Sequence, residues 1–195
     1  MQQPGRPRQF NSEETLSKIM QLFWEKGYEA TGLSDIISAT GLGKASLYSA
    51  FGNKQSMYLK ALAHYENLIV AAAVSVLRST DLPPLDRIDT FLSSTIVAVR
   101  DHNDRRGCFL CNASADRASL DEETGNLVRL GYEKMRLAIA HSLSEAFPNI
   151  APSTINGRAQ LVLTVYSGLR VMARSGMEAE NLSLAKDEVL QAIGK

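Results

Sequence analysis

Leu33-Ser34-Asp35-Ile36-Ile37-Ser38-Ala39-Thr40, then Gly41-Leu42-Gly43, then Lys44-Ala45-Ser46-Leu47-Tyr48-Ser49-Ala50-Phe51 is the stretch that decides the fold. Leu33, Ile36, Ile37 and Thr40 repeat at helical spacing, and Gly41 stops that helix. Leu47, Tyr48 and Phe51 mark the apolar side of a second short helix, ended by Gly52-Asn53. Two short helices joined by a tight glycine turn form the pattern of a helix-turn-helix. In such a unit the second helix enters a major groove, where bulk would hold it off the base edges. Lys44, Ala45, Ser46 and Ser49 meet that demand, while Leu47 and Phe51 face back into a small core. Lys44 can reach guanine O6/N7 or a phosphate, and a serine hydroxyl can donate or accept. No acidic residue occurs from Ile36 to Tyr65, whereas Lys44, Lys54 and Lys60 all lie there, which suits a polyanion. A solvated face would carry the same charges by chance, and small three-helix units occur in many proteins. Periodicity and charge alone therefore leave both readings open.

Working outward, Asn11 is a good N-cap with Glu14 three residues on, as in a capping box. Leu16, Ile19, Met20 and Phe23 then mark a first helix that Gly27 ends. Tyr58, Leu62, Tyr65, Ile69, Ala72 and Val76 predict a long fourth helix, closed before Pro83-Pro84. A fifth helix carries Ile88, Phe91, Leu92, Thr95, Ile96 and Val99; a polar break from His102 to Gly107 follows, then a short helix over Cys108–Ser114. Val128, Tyr132, Met135, Ile139, Leu143 and Phe147 mark a long seventh helix. Residues 153–175 are apolar nearly all round, so the eighth helix is expected to be buried on more than one side. Its segment from Leu161 to Tyr166 also reads as a strand, but no partner strand is visible. A ninth helix carries Leu182, Ala185, Val189 and Ile193. The expected fold is all-α, with about nine helices: a helix-turn-helix domain over 1–56 and a helical ligand-sensing and dimerisation domain over 57–195.

The 195 residues are 45% apolar with a formal net charge of zero, so a sizeable core can form and any nucleic-acid affinity must come from local clustering. Every apolar run is interrupted before membrane-spanning length, and Met1–Phe10 lacks the apolar core of a signal peptide. A cytoplasmic protein is the expectation. Two cysteines, Cys108 and Cys111, are too few for a disulfide framework.

Phe23-Trp24-Glu25-Lys26-Gly27-Tyr28-Glu29-Ala30-Thr31, Leu33-Ser34-Asp35-Ile36 and Gly41 through Lys54 occur in this order and resemble the N-terminal domain of the TetR family of regulators. The leading Gly5-Arg6-Pro7-Arg8-Gln9-Phe10 and the later Gly107-Cys108 resemble an AcrR-like branch of it. The resemblance implies an all-helical homodimer, usually a repressor, on a near-palindromic operator. By position it makes Lys44–Phe51 the recognition helix, with Lys44, Ala45 and Ser46 nearest the bases. It implies phosphate contacts from Thr31, from the Tyr48 hydroxyl and from Lys54. Gly32 stands where the family often has a Ser or Thr cap, and Ala50 where it often has His or Tyr. Arg6 and Arg8 could enter a minor groove as other N-terminal arms do.

The second half carries fewer signals. Cys-x-x-Cys at a helix start favours a thiolate, with Arg105 and Arg106 expected to add to that. Such a thiol reacts with oxidants or electrophiles, or binds a soft metal that His102 could join. Plain core packing is the competing reading of both cysteines. A small-molecule effector pocket is expected near Cys108, Phe109, Cys111, Tyr132, Met135, Tyr166 and Met172. Helices eight and nine are expected to form the dimer interface, with Gly168 allowing close helix approach. No catalytic cluster is visible: His64, His102 and His141 are scattered, and the Cys-x-x-Cys lacks a βαβ context. An enzyme is not expected, nor a resident metal or cofactor.

Overall fold

The computed structural model describes residues 10–194, and every regular element among them is helical. The basic arm, with Arg6 and Arg8, lies outside the described residues. The chain divides into two compact units, the first running to His64 and the second starting at Tyr65.

In the first unit α1 spans Ser12–Lys26, α2 Leu33–Thr40 and α3 Lys44–Phe51, and α4 starts at Lys54 and ends at Tyr65. Asn11 caps α1 by accepting from the backbone N–H of Glu13 and Glu14 at 3.0 and 3.2 Å. The Glu14 carboxylate pairs with Lys18 at 3.0 Å. At α2 the cap is made from the other side. Gly32 has no side chain, and the Asp35 carboxylate accepts from the Gly32 N–H at 2.8 Å while holding Lys26 at 3.0 Å. Those two donors keep the Asp35 carboxyl below the usual carboxylate range.

The core joins Ile19, Met20 and Phe23 of α1 to Ile36, Leu47 and Phe51, all buried. Tyr58 of α4 completes it, meeting Phe23 and Tyr28 edge to face at 5.1 and 5.0 Å. Met57, Tyr58, Ala61 and Leu62 are all buried. That is why the structural division falls after His64 rather than at the expected 56/57: the first three turns of α4 belong to this core.

In the second unit a π-helical turn, Glu66–Val70, follows α4 directly, and α5 spans Ala71–Leu77. The predicted long helix is thus present but interrupted. The interruption moves its buried face: after Tyr65 the buried residues are Val70 and Leu77, whereas Ile69 of the predicted stripe is exposed. One extra residue in a turn shifts every later side chain by about 100°. The remaining helices are α6 (Pro84–His102), α7 (Phe109–Asp116), α8 (Glu122–Ala146), α9 (Pro152–Arg174) and α10 (Ala179–Gly194). The eighth and ninth predicted helices are therefore α9 and α10.

The core of this unit lies between α6, α8 and α9. Tyr166 of α9 stacks on Phe91 of α6 at 4.3 Å, and Phe109 meets Tyr65 edge to face at 5.7 Å. Two glycines set close approaches. Gly107 has φ +76, and a Cβ there would stand 2.9 Å from the Arg170 carbonyl oxygen; at Gly131 it would stand 2.6 Å from Leu110 Cδ1. Leu110 is fully buried, so it has nowhere to move. No helix among the described residues is long and apolar enough to cross a membrane.

Candidate DNA interface and buried thiol site

The outward side of α3 is built by what the helix lacks. Leu47 and Phe51 anchor it, and Lys44, Ala45, Ser46, Ser49 and Ala50 are exposed around them. Tyr48 is 39% exposed, more than a core aromatic would be. The Lys44 ammonium lies 5.7 Å from the Tyr48 ring centre, so the two form one cationic and aromatic patch. Gly43 caps the helix without a side chain, and among the described residues nothing lies within 4 Å of where its Cβ would be. The first N–H groups of α3 are therefore unscreened by a capping oxygen, the arrangement that favours an anion.

Lys54, at the first turn of α4, reaches the Glu29 carbonyl at 3.5 Å and lies 4.4 Å over the Tyr28 ring. It stays half-exposed, pinned by its stem with its charge available. Thr31 corrects an expectation. Its side chain is 0% exposed, and its hydroxyl donates to the Gly27 carbonyl at 2.7 Å, closing the end of α1. A hydroxyl so placed has no face for a phosphate.

The second site is at the start of α7. Cys108 is the N-cap residue and Cys111 lies one turn on; both are free thiols, 1% and 7% exposed. The Tyr65 hydroxyl donates to the Cys108 sulfur at 3.5 Å, and the Tyr132 hydroxyl to the Cys111 sulfur at 3.3 Å. The Cys111 thiol donates to Cys108, and this bond is the main cause that lowers the Cys108 pKa to about 6. Burial opposes it; the Tyr65 hydroxyl and the Arg170 charge assist. The same bond pushes the Cys111 pKa far up, since losing its proton would place a second anion beside the first. Burial likewise raises Tyr65 and Tyr166.

The neighbouring cation is not the expected one. Arg105 is held by the Met177 carbonyl at 2.8 Å and Glu178 at 3.1 Å, and Arg106 pairs with Asp104 at 2.6 Å. Arg170, one turn beyond Tyr166 on α9, acts on the thiolate instead; it lies 5.1 Å over the Tyr166 ring and donates to Ser94 at 2.9 Å. No spacing in the sequence links positions 108 and 170, so only the packing of α9 on the α7 start reveals it. His102 is exposed while both thiols are buried. Among the described residues no three His, Cys, Asp or Glu side chains gather where a metal could sit.

Of the expected effector-pocket residues, Tyr132 lines an open cleft of about 610 Å³ with Ser114, Arg129, Gln160, Thr164 and Ser167. Phe109, Met135 and Tyr166 are buried. Met172 is exposed and lines a different hollow, about 490 Å³, with Val165, Gly168, Leu169, Leu182 and Ala185 of α9 and α10. Beyond its neighbours and its own helix backbone, no described residue lies within 4 Å of where a Cβ at Gly168 would be. Close packing within one chain does not explain that glycine.

Residues 16–61 match the family model described as bacterial regulatory proteins, tetR family, the segment that runs from α1 into α4. Over that segment the chain is similar to TetR-family regulators, and the relatives it resembles over most of its length are transcriptional regulators too. The transcriptional repressor ComR of Escherichia coli is 25% identical over 91% of this chain and 86% of its own length. The repressor BdcR of the same organism is 27% identical over 92% and 87%. A cysteine-substituted form of the TetR-family regulator CifR, solved with 26-base-pair operator DNA, superposes with a TM-score of 0.83 at 25% identity, covering 96% of this chain and 99% of that one.

Proposed function

We propose that this protein is a homodimeric repressor that binds a near-palindromic operator through α3 and is released by a small molecule or a thiol-reactive signal. One observation carries the DNA half: α3 turns Lys44, Ala45, Ser46, Tyr48 and Ser49 outward in a segment free of acidic residues from Ile36 to Tyr65. Lys44, Ala45, Ser46 and Ser49 meet base edges; the Tyr48 hydroxyl and Lys54 meet phosphates. The operator complex of CifR and the repressor names of ComR and BdcR support this reading.

Dimerisation runs through α9 and α10. The unfilled space at Gly168, with exposed Leu161, Val171, Met172 and Leu184, is an apolar face that a second copy would cover. A two-fold axis there sets the two recognition helices about 34–36 Å apart for successive major grooves. The effector acts at Cys108 and Cys111 behind the Tyr132 cleft, with Phe109, Met135 and Tyr166 as the packing that must adjust. A cytoplasmic location fits a regulator of this kind.

The test is selection of bound fragments from genomic DNA by the purified protein, with and without a mild oxidant. Enrichment of one near-palindromic site that is lost on oxidation supports both halves. No enrichment from protein shown to be reduced and free of ligand would sink the DNA half.

A further inference from the structure

We propose that Cys108 and Cys111 form a disulfide within one chain when a small two-electron oxidant of the peroxide class reaches them, with Cys108 as the attacking sulfur and Cys111 as the resolving one. This rests on the thiol-signal reading above and gives it a chemistry. The two residues lie one helical turn apart, N-cap and first turn of α7, and their sulfurs already share a hydrogen bond. Each has a second, separate donor: Tyr65 on Cys108 and Tyr132 on Cys111.

The steps balance. The Cys108 thiolate attacks one peroxide oxygen; the O–O bond breaks, and the departing hydroxide takes a proton to leave as water. Cys108 becomes a sulfenic acid. The Cys111 sulfur then attacks the Cys108 sulfur; the S–S bond forms, the S–O bond breaks, and the leaving hydroxide takes the Cys111 proton to form the second water. Two thiols lose two electrons and the peroxide becomes two waters. Before the first step the neighbouring thiolate holds the proton on Cys111. Oxidation of Cys108 removes that negative charge, so the resolving thiol is released only after the first thiol has reacted.

Access selects the reagent. Tyr132 lines the cleft of about 610 Å³ and its hydroxyl touches Cys111 from that side, while Ser114 Oγ lies 3.4 Å from the same hydroxyl. With the thiols 1% and 7% exposed, a peroxide can enter where a bulky alkylator cannot. The product also changes its surroundings. Tyr65, the last residue of α4, loses an anionic acceptor, and Arg170 loses the negative charge beside it. A buried cation left without that partner favours rearrangement.

The experiment uses the full reduced chain, freed of reductant and titrated with hydrogen peroxide. Intact mass, peptide mapping and release from the selected DNA are read in parallel. The expected result is loss of two hydrogens per chain at about one equivalent, a mapped Cys108–Cys111 bond, and DNA release. Cys111→Ser should accumulate a dimedone-reactive sulfenic acid on Cys108, and Cys108→Ser should form neither product. The wild-type map stands alone if a variant misfolds. A persistent sulfenic acid in the wild type, or a bond joining Cys108 of two chains, overturns the proposal. DNA release on Cys108 oxidation without that bond keeps the thiol-signal reading and overturns the disulfide. A mapped bond with DNA still held does the reverse.

Discussion

The two units keep their working groups in opposite environments. In the first, the core of Ile19, Phe23, Ile36, Leu47, Phe51 and Tyr58 is closed, and the groups that can act project from it into water. In the second, the thiol pair sits inside, with Cys108 1% exposed and a thiol, a phenol and a guanidinium favouring its thiolate. An exposed charge is screened and adjustable, so each contact there is worth little and several must act together. A buried charge depends on every neighbour, so small changes around it are large in effect. Substitutions should therefore be mild and additive on α3, and severe and coupled around Cys108.

The most direct way to break that contrast is Gly107→Val. Position 107 has φ +76, and a Cβ would stand 2.9 Å from the Arg170 carbonyl oxygen, so strain and clash add. A loss of about 2–4 kcal/mol in urea unfolding is expected. A loss below about 0.5 kcal/mol would mean that the α7 start yields easily, and the second unit would then be no stiffer than the first.

Lys44→Ala comes next. If Lys44 reads a guanine, its removal costs about 1–3 kcal/mol at one base position and relaxes preference there. Competition binding on single-base variants of the operator decides this. A uniform loss over all of them would reduce Lys44 to a phosphate contact.

Those two residues also mark what a sequence can and cannot disclose. The outward side of α3 follows from spacing within eight residues, because periodicity and glycine stops are local. The cap at Asn11 and the order of the helices were legible for the same reason, whereas the cap that Asp35 makes at Gly32 was not. What the sequence left hidden depends on packing across long separations. Arg170 reaches Cys108 only because α9 packs against the α7 start. Thr31 lost its expected role because its hydroxyl turns back to Gly27, which no pattern announces. The π-helical turn at Glu66–Val70 moved burial from Ile69 to Val70, and an apolar run such as Leu68-Ile69-Val70 fits either register.

The pH dependence of thiol reactivity sharpens the contrast at the second site. The groups facing Cys108 are Cys111 on α7, Tyr65 at the end of α4, and Tyr166 and Arg170 on α9; Cys111, Tyr65 and Arg170 hold its pKa at about 6 against burial. Its rate with peroxide should fall about tenfold per pH unit well below 6 and level off above about 7, where the thiolate is already formed. A midpoint near the ordinary thiol value of about 8.5 would show that burial outweighs the donors. The same lowered pKa stabilises the fold. The contribution is complete above the unfolded thiol's value and is lost as pH falls through about 6.

The smallest effects belong to the proposed phosphate contacts. Tyr48→Phe removes one hydroxyl, and Lys54→Ala removes one charge that Tyr28 and Glu29 hold in place. Each should weaken binding by about 1 kcal/mol or less, equally on every DNA sequence. Lys54→Ala should also reduce the slope of log affinity against log salt by about 1, whereas Tyr48→Phe, which removes no charge, should leave it unchanged. Equal salt slopes for the two variants would mean that Lys54 neutralises no phosphate. The double variant then tests the environment argument itself: two exposed contacts should sum to within about 0.5 kcal/mol. A larger coupling would show that the α3 face is as interdependent as the buried thiols.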